Sequence, residues 1–230
     1  GSSEMLARPI AQEMTRSLGQ SVVFDFRPGG GTTIAADITA KSQPDGYTII
    51  LITGTHTARR ATHREKLSYD LVKDFTPVTQ MTRQSYVLVL HPSVAAKSIP
   101  DLVALAKAKP GSLTYGSAGQ GSLQHLSGAL LGALTGANFL HVAYKGAGPA
   151  LNDLLGGQIP LMFAGVSNAV PYVASGRLRV LAVSTAQRAL GAPDIPTISE
   201  AGLPGYDVSS WHGLLLPAGL DEDRVANVLG

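Results

Sequence analysis

The chain has 230 residues, 44% hydrophobic and 15% charged, with 18 Lys+Arg against 16 Asp+Glu, a formal charge of +2 and no cysteine. Such a composition buries a core without difficulty and excludes long disorder, and its scattered basic residues form no nucleic-acid stripe. Disulfides, thiolate metal sites and cysteine nucleophiles are excluded, and no apolar run approaches the roughly 20 residues of a membrane span, so no direct membrane insertion is expected.

The first residues, GSSEMLARPIAQEM, read as an amphipathic helix rather than a signal peptide, which points to a processed or truncated start. Gly1-Ser2-Ser3-Glu4 offers a small polar cap and an acid at the positive helix end. Met5, Leu6, Ile10, Met14 and Leu18 recur at helical spacing, and Gly19 stops the run. SVVFDF (21–26) reads as a buried strand, RPGGGTTIAADITAK (27–41) as a glycine loop opening a helix, and PDGYTIILITG (44–54) as a turn and a strand. DFTPVTQM and YVLVLHP give two more strands. IPDLVALAKAKPG is a helix with Asp101 near its start and Pro110-Gly111 at its end. SLTYGSAG, NFLHVAYKG, IPLMFAG and RLRVLAVST are strands alternating with the helices SLQHLSGALLGALTG, PALNDLLGG and NAVPYVASG. Strands alternating with helices, several of them continuous apolar runs, argue an α/β fold with a mainly parallel sheet, and the length suits two lobes of roughly 100 residues each.

Four strands end in small residues directly before a helix: ITGTHT, YGSAGQGS, AYKGAGP and FAGVSN. Open α/β sheets bind ligands in the crevice beyond the carboxyl ends of their strands, so any chemistry is expected on these four turns. No GxxxxGK[ST], GxGxxG or GxSxG pattern occurs on them, which argues against nucleotide and serine-hydrolase chemistry. The six histidines, His56, His63, His91, His125, His141 and His212, form no HxH, HxxH or HExxH pair, so no metal is expected. His125, in the first turn of its helix, either packs beside or caps the loop or contacts a ligand. Lys145 is a catalytic amine or an exposed lysine, and Asp153 is expected to face solvent. What remains is a set of helix N-termini whose free N–H groups and positive dipole ends bind anions without catalytic machinery. Ser117, Gly119, Gly121 and Ser122 can donate from one turn, and Thr53, Gly54 and Thr55 from another.

The segments FRPGGGTTIAAD, QPDGYTIIL, LSYDLVKDFTPVT, IPDLVALAKAKPGSLTYGSAGQGSLQHLSG, HVAYKGAGPALNDLLGGQIPLMF, ASGRLRVLAVSTAQR and PTISEAGLPGYDVSSWHGLLLPAG run in order over nearly the whole chain. In them the sequence resembles the solute receptors of tripartite tricarboxylate transporters, the Bug family. The resemblance implies a type II-like periplasmic binding protein of two α/β lobes, each a mainly parallel sheet flanked by helices. The lobes would be 1–91 plus 210–230 and 92–209, with crossings near YVLVLHP and SSWHGLLLP. It also implies a strand and loop start before Gly1 and a continuation after DEDRVANVLG, so half of the first anion contact would lie outside this sequence.

Carried over by position, the ligand-binding residues would be Ser2 and Ser3 in the first loop and Thr53, Gly54, Thr55 and His56 in the second. The third loop contributes Ser117, Ala118, Gly119, Gly121, Ser122 and His125; the fourth contributes Tyr144 and Lys145, followed by Ala164 and Gly165. Ala164-Gly165 stands where many members carry an acid, which favours plain carboxylates over amino acids. The implied function is a periplasmic, monomeric receptor that closes over a di- or tricarboxylate or an aromatic carboxylate in the inter-lobe cleft. It would deliver the ligand to the membrane subunits of the transporter, with no catalytic residues, cofactor or nucleic-acid partner. Alternatives are a ligand sensor for a signalling partner, the effector domain of a transcription regulator, or a cleft hydrolase or isomerase using His125 and Lys145.

Overall fold

Residues 2–27, 33–62 and 67–220 are described by the computed structural model of the chain. They fall into two units, Gly1–Arg83 with Trp211–Gly230, and Gln84–Ser210. Both divisions lie inside long strands, the first within rather than at the end of its strand.

The first unit starts with α1 (Ser2–Leu18), which Gly19 ends at φ +63, a left-handed conformation that costs glycine nothing. Then come α2 (Thr33–Ala40), β1 (Ile50–Thr53) and α3 (Gly54–Thr62), the early part of β2 (Phe75–Leu90) and most of β7 (Ser209–Pro217). β1 pairs antiparallel with β7, placing Ile50 opposite Leu215 and Thr53 opposite His212. Ala36, Ile50, Ile52, Tyr69, Phe75 and Leu215 form its core, with the Tyr69 and Phe75 rings edge to face at 5.8 Å.

Two expectations need correction here. SVVFDF is not a buried strand: residues 21–26 make no ladder, and Val23 and Phe26 are 81% and 56% exposed. An apolar run becomes a strand only where a partner takes its N–H and C=O groups, and no described strand lies beside this one. Instead Thr15 Oγ1 accepts the Val22 N–H at 2.9 Å, and the Arg8 guanidinium lies 5.8 Å from the Phe24 ring centroid. DFTPVTQM and YVLVLHP, expected as two strands, belong to one strand of 16 residues, β2. The polar stretch Thr82-Arg83-Gln84-Ser85 imitates a break, yet half-exposed extended backbone tolerates polar side chains. The glycines of the 27–41 loop and the stretch DEDRVANVLG fall at 28–32 and 221–230, outside the described residues.

The second unit holds α4 (Ile99–Ala108), β3 (Leu113–Ser117), α5 (Leu123–Thr135), β4 (Phe139–Ala143), α6 (Ala147–Leu155), β5 (Leu161–Gly165), α7 (Val166–Ala174) and β6 (Arg179–Val183). β3 pairs in parallel with both β4 and β5. β2 runs against β5 and β6, with Leu88 opposite Phe163 and Ala182, so one reversed strand sits among four that share a direction. The fold is thus a mixed α/β sheet flanked by helices. Side chains alternate between its faces as strand geometry demands. Tyr86, Leu88, Leu90, Leu161 and Phe163 pack on one face with Leu102, Leu131 and Tyr206, while Val87, Val89, Met162 and Ala164 pack on the other with Ala150 and Leu154.

Two glycines set how closely helices approach this sheet. A Cβ on Gly116 would lie 2.4 Å from Ile159 Cδ1, and one on Gly128 2.2 Å from Tyr115 Cε2. Gly128 therefore lets α5 rest directly on the Tyr115 ring.

Candidate functional site

Because β3, β4 and β5 are parallel, their carboxyl ends share one edge of the second unit's sheet. The turns into α5, α6 and α7 all leave from that edge. They interlock: the Tyr144 N–H donates to the Ser117 carbonyl at 3.1 Å, and a Cβ on Gly119 would stand 3.2 Å from the Tyr144 carbonyl. Gly119 and Gly121, at φ +130 and +77, adopt backbone conformations that side chains resist, which allows the β3 turn its tight course.

The β3–α5 turn is organised from within. Ser122 caps α5, its Oγ accepting the His125 N–H at 3.3 Å. His125 Nδ1 in turn accepts the Gly121 N–H at 3.1 Å, which places the neutral ring's proton on Nε2. Ser117 Oγ accepts the Gly119 N–H at 3.0 Å and lies 2.6 Å from His141 Nε2. The His125 and His141 rings stack at 3.9 Å, Tyr115 lies 5.1 Å from His141, and the Tyr115 hydroxyl donates to the His125 carbonyl. Burial lowers the pKa of His125, and burial together with the neighbouring His125 lowers that of His141 to about 4. Both rings are therefore neutral at neutral pH.

A serine 2.6 Å from an imidazole has the spacing of a nucleophile–base pair. Ser117, however, is fully buried, at 0% exposure, which leaves an acyl carbon no approach. The Ser117–His141 pair is instead a brace for the turn. What the turn can offer a ligand is the first-turn N–H groups of α5. Those of Leu123 and Gln124 have no intrahelical acceptor, and the helix dipole adds its positive end.

The β1–α3 turn of the first unit is built in the same way. Thr53 Oγ1 accepts the Thr55 N–H at 3.2 Å, and His56 Nδ1 accepts the Thr53 N–H at 3.1 Å. His56 is buried, and burial, reinforced by the Arg59 charge, lowers its pKa to about 4. Here too an apolar strand runs straight into a helix whose N-terminal N–H groups lack intrahelical acceptors.

The remaining expected residues divide. Tyr144 and Gly119 belong to the same edge, and the Tyr144 hydroxyl donates to Asp153 Oδ2 at 2.7 Å. Asp153, expected to face solvent, is half-buried by that contact, and burial followed by Asp153 raises the Tyr144 pKa to about 12. Lys145 is exposed, and no hydrogen bond joins it to His125. Ala118 is half-buried within the β3 turn. Ala164 pairs with Val87 and packs in the core, while Gly165 sits opposite Tyr86 at the start of α7. Ser2 and Ser3 begin α1. His141 was not among the expected site residues; the signal was the parallel register that sets it beside Tyr115. Among the described residues no group of three or more His, Asp or Glu is placed to hold a metal ion.

The family profile described as "Tripartite tricarboxylate transporter family receptor" matches residues 6–229. A relative from Pseudomonas sp. (strain P51), the "UPF0065 protein in tcbD-tcbE intergenic region", is 37% identical over 220 residues, covering 95% of this chain. The chain spans 65% of that relative's length. The solved structure "R. palustris Rpa4515 with adipate" superposes at a TM-score of 0.91 with 38% identity, covering 99% of this chain and 76% of that one. MatC (Rpa3494) from Rhodopseudomonas palustris with bound malate superposes at 0.88 with 35% identity, covering 98% and 77%.

Proposed function

This chain belongs to the tripartite tricarboxylate transporter family receptors, and on that premise we propose that it binds a small organic carboxylate and hands it to the membrane subunits of such a transporter. The observation that carries the reading is the β3–α5 turn, a serine-capped helix N-terminus fed by Gly119 and Gly121. Such a turn presents fixed N–H donors to an anion and no group able to attack it. The β1–α3 turn of the first unit has donors of the same kind. The periplasm is the proposed compartment. Adipate and malate, named with two of the similar structures, are both dicarboxylates. The end of β5 carries Ala164-Gly165 rather than an acid, so it offers an ammonium group no partner. The receptor reading assigns no chemical step to any residue.

Thermal unfolding against a panel tests this. A ligand at 100 times its Kd adds about 2.7 kcal/mol, which raises the Tm by roughly 5–10 °C for a chain of this size. The expected result is a shift with adipate, malate or another di- or tricarboxylate and none with glucose, lysine or ATP. A shift confined to sugars or nucleotides, or none with any carboxylate, contradicts the reading.

A further inference from the structure

The two candidate turns, one in each unit, are closed by the same device. A capping box joins an N-cap Ser or Thr to a Glu or Gln three residues on, the first accepting an N–H from the helix and the second reaching back to the N-cap backbone. Thr53 directly precedes α3 and its Oγ1 accepts the Thr55 N–H, which puts it at the N-cap position with His56 as the third helical residue; in α5 they are Ser122 and His125. A histidine thus stands in both boxes where Glu or Gln is usual. His56 Nδ1 takes the N–H of the N-cap itself, and His125 Nδ1 takes that of the residue before it. We propose that His56 and His125 are positioning residues, titratable members of two capping boxes, that hold the β1–α3 and β3–α5 turns in anion-binding shape only while their imidazoles are neutral. The proposal rests on the carboxylate reading for the ligand, and on hydrogen-bond geometry alone for the latch.

The chemistry of the ring makes the latch conditional. Neutral imidazole accepts at one nitrogen, whereas imidazolium donates at both. Protonating Nδ1 therefore leaves the Thr53 or Gly121 N–H without its acceptor. At His56 the new donor would find the Thr53 carbonyl 3.3 Å away, so the ring turns from holding the N–H to pulling on its carbonyl. A cation also replaces a neutral group at the positive end of a helix. Among the described residues no carboxylate is paired with either ring; the one against α3, Asp70, lies 3.8 Å from Arg60. α3 packs on β1, which has no ionisable side chain; Arg59 on its own helix acts on His56 as a like charge, and His212 stands on β7 opposite Thr53. α5 packs on β3, β4 and β5, which present Tyr115, His141 and no ionisable group respectively, with Tyr206 bonded to Ser127 further along the helix. His125 therefore meets a second histidine at 3.9 Å rather than a carboxylate. Burial lowers the pKa of both histidines, which agrees with two latches kept closed at neutral pH.

Asparagine separates the latch from a merely structural role, because its Oδ1 stands close to where Nδ1 stands and accepts without titrating. Amide hydrogen exchange, read by NMR without ligand, tests the latch directly. In the wild-type protein, the protection of the Thr53 and Gly121 amides is expected to fall at least tenfold between pH 7 and pH 4.5. Over the same range it should stay within threefold in His56→Asn and His125→Asn respectively. In His56→Leu and His125→Leu it should be low already at pH 7. Unchanged protection in the leucine variants, or the same acid loss in the asparagine variants, overturns the latch. Should a leucine variant not fold, the wild-type and asparagine comparison decides.

Adipate binding by calorimetry gives the functional readout. The ratio of Kd at pH 5 to Kd at pH 7 should be at least threefold larger in wild type than in the His56→Asn/His125→Asn double variant. Protonation of adipate itself is common to both proteins. Wild-type binding that gains on the double variant in acid would make the imidazoliums direct partners of the anion and overturn the proposal. If adipate binds neither protein at any pH, the carboxylate reading fails for this probe, and the exchange experiment still decides the latch.

Discussion

Gly128→Ala is expected to destabilise the second unit although alanine is the better helix former. The added Cβ would stand 2.2, 2.5 and 2.6 Å from Cε2, Cζ and Cδ2 of Tyr115, where ordinary contact needs at least 3.4 Å. Tyr115 cannot simply swing away. It is 2% exposed, its ring lies 5.1 Å from His141, and its hydroxyl is bonded to the His125 carbonyl at 3.1 Å. Either α5 lifts by about 1 Å or the ring leaves its rotamer, and overpacking of this kind costs about 1–3 kcal/mol. Alanine's gain in helix propensity, about 1 kcal/mol, offsets part of that. Three ring atoms within 2.6 Å put the cost at the upper end of that range, so the net loss expected is about 2 kcal/mol, read as a lower urea midpoint at unchanged slope. The double variant Gly128→Ala/Tyr115→Leu, which removes the outer ring atoms that clash, should lose less than the sum of the single variants. Gly128→Ala equal to or more stable than wild type, or strictly additive losses, would refute the steric argument.

Other outcomes follow from single contacts. The folded pKa of His56 is about 4 against an ordinary 6.5, so between those values the unfolded chain binds a proton that the folded one refuses. The stability this ring contributes is therefore complete above pH 6.5 and lost as pH falls towards 4, by about 3 kcal/mol at about 1.4 kcal/mol per pH unit. Urea melts at pH 7 and pH 4.5 should show wild type losing more than His56→Asn by about that amount, and parallel losses would contradict it. Tyr206→Phe removes the buried hydroxyl that donates to the Ser127 carbonyl at 2.8 Å. Because that carbonyl sits within α5, the expected cost is only about 0.5–1.5 kcal/mol by urea titration. Ser98→Ala removes the side chain that accepts the Asp101 N–H at 3.2 Å and caps α4. That should cost about 1 kcal/mol, with no change in adipate affinity.

Much of the fold was legible because its signals are local. The four strand-to-helix turns could be placed from small residues alone, and the cap of α5 from Ser122. SVVFDF misled because a strand is defined by its neighbour, and apolar composition carries no information about whether one is there. β2 misled in the opposite sense, since the polar residues at 82–85 mark exposure rather than a chain break. Nothing local in the sequence marks Gly116 or Gly128, yet each is required by a side chain distant in sequence, Ile159 and Tyr115 respectively. His141 was invisible for the same reason: it reaches Ser117, 24 residues earlier, only through the β3–β4 register. The repeated [ST]-x-x-H pattern, Thr53 to His56 and Ser122 to His125, was local and open to reading from the start.

The proposal that the β1–α3 and β3–α5 turns bind a carboxylate is tested by an NMR titration of the ¹⁵N-labelled chain with adipate. Saturable shifts are expected at the amides of Thr53 to His56 and of Ala118 to His125. Shifts centred elsewhere, for example on α7 and β6 with both turns silent, would contradict it.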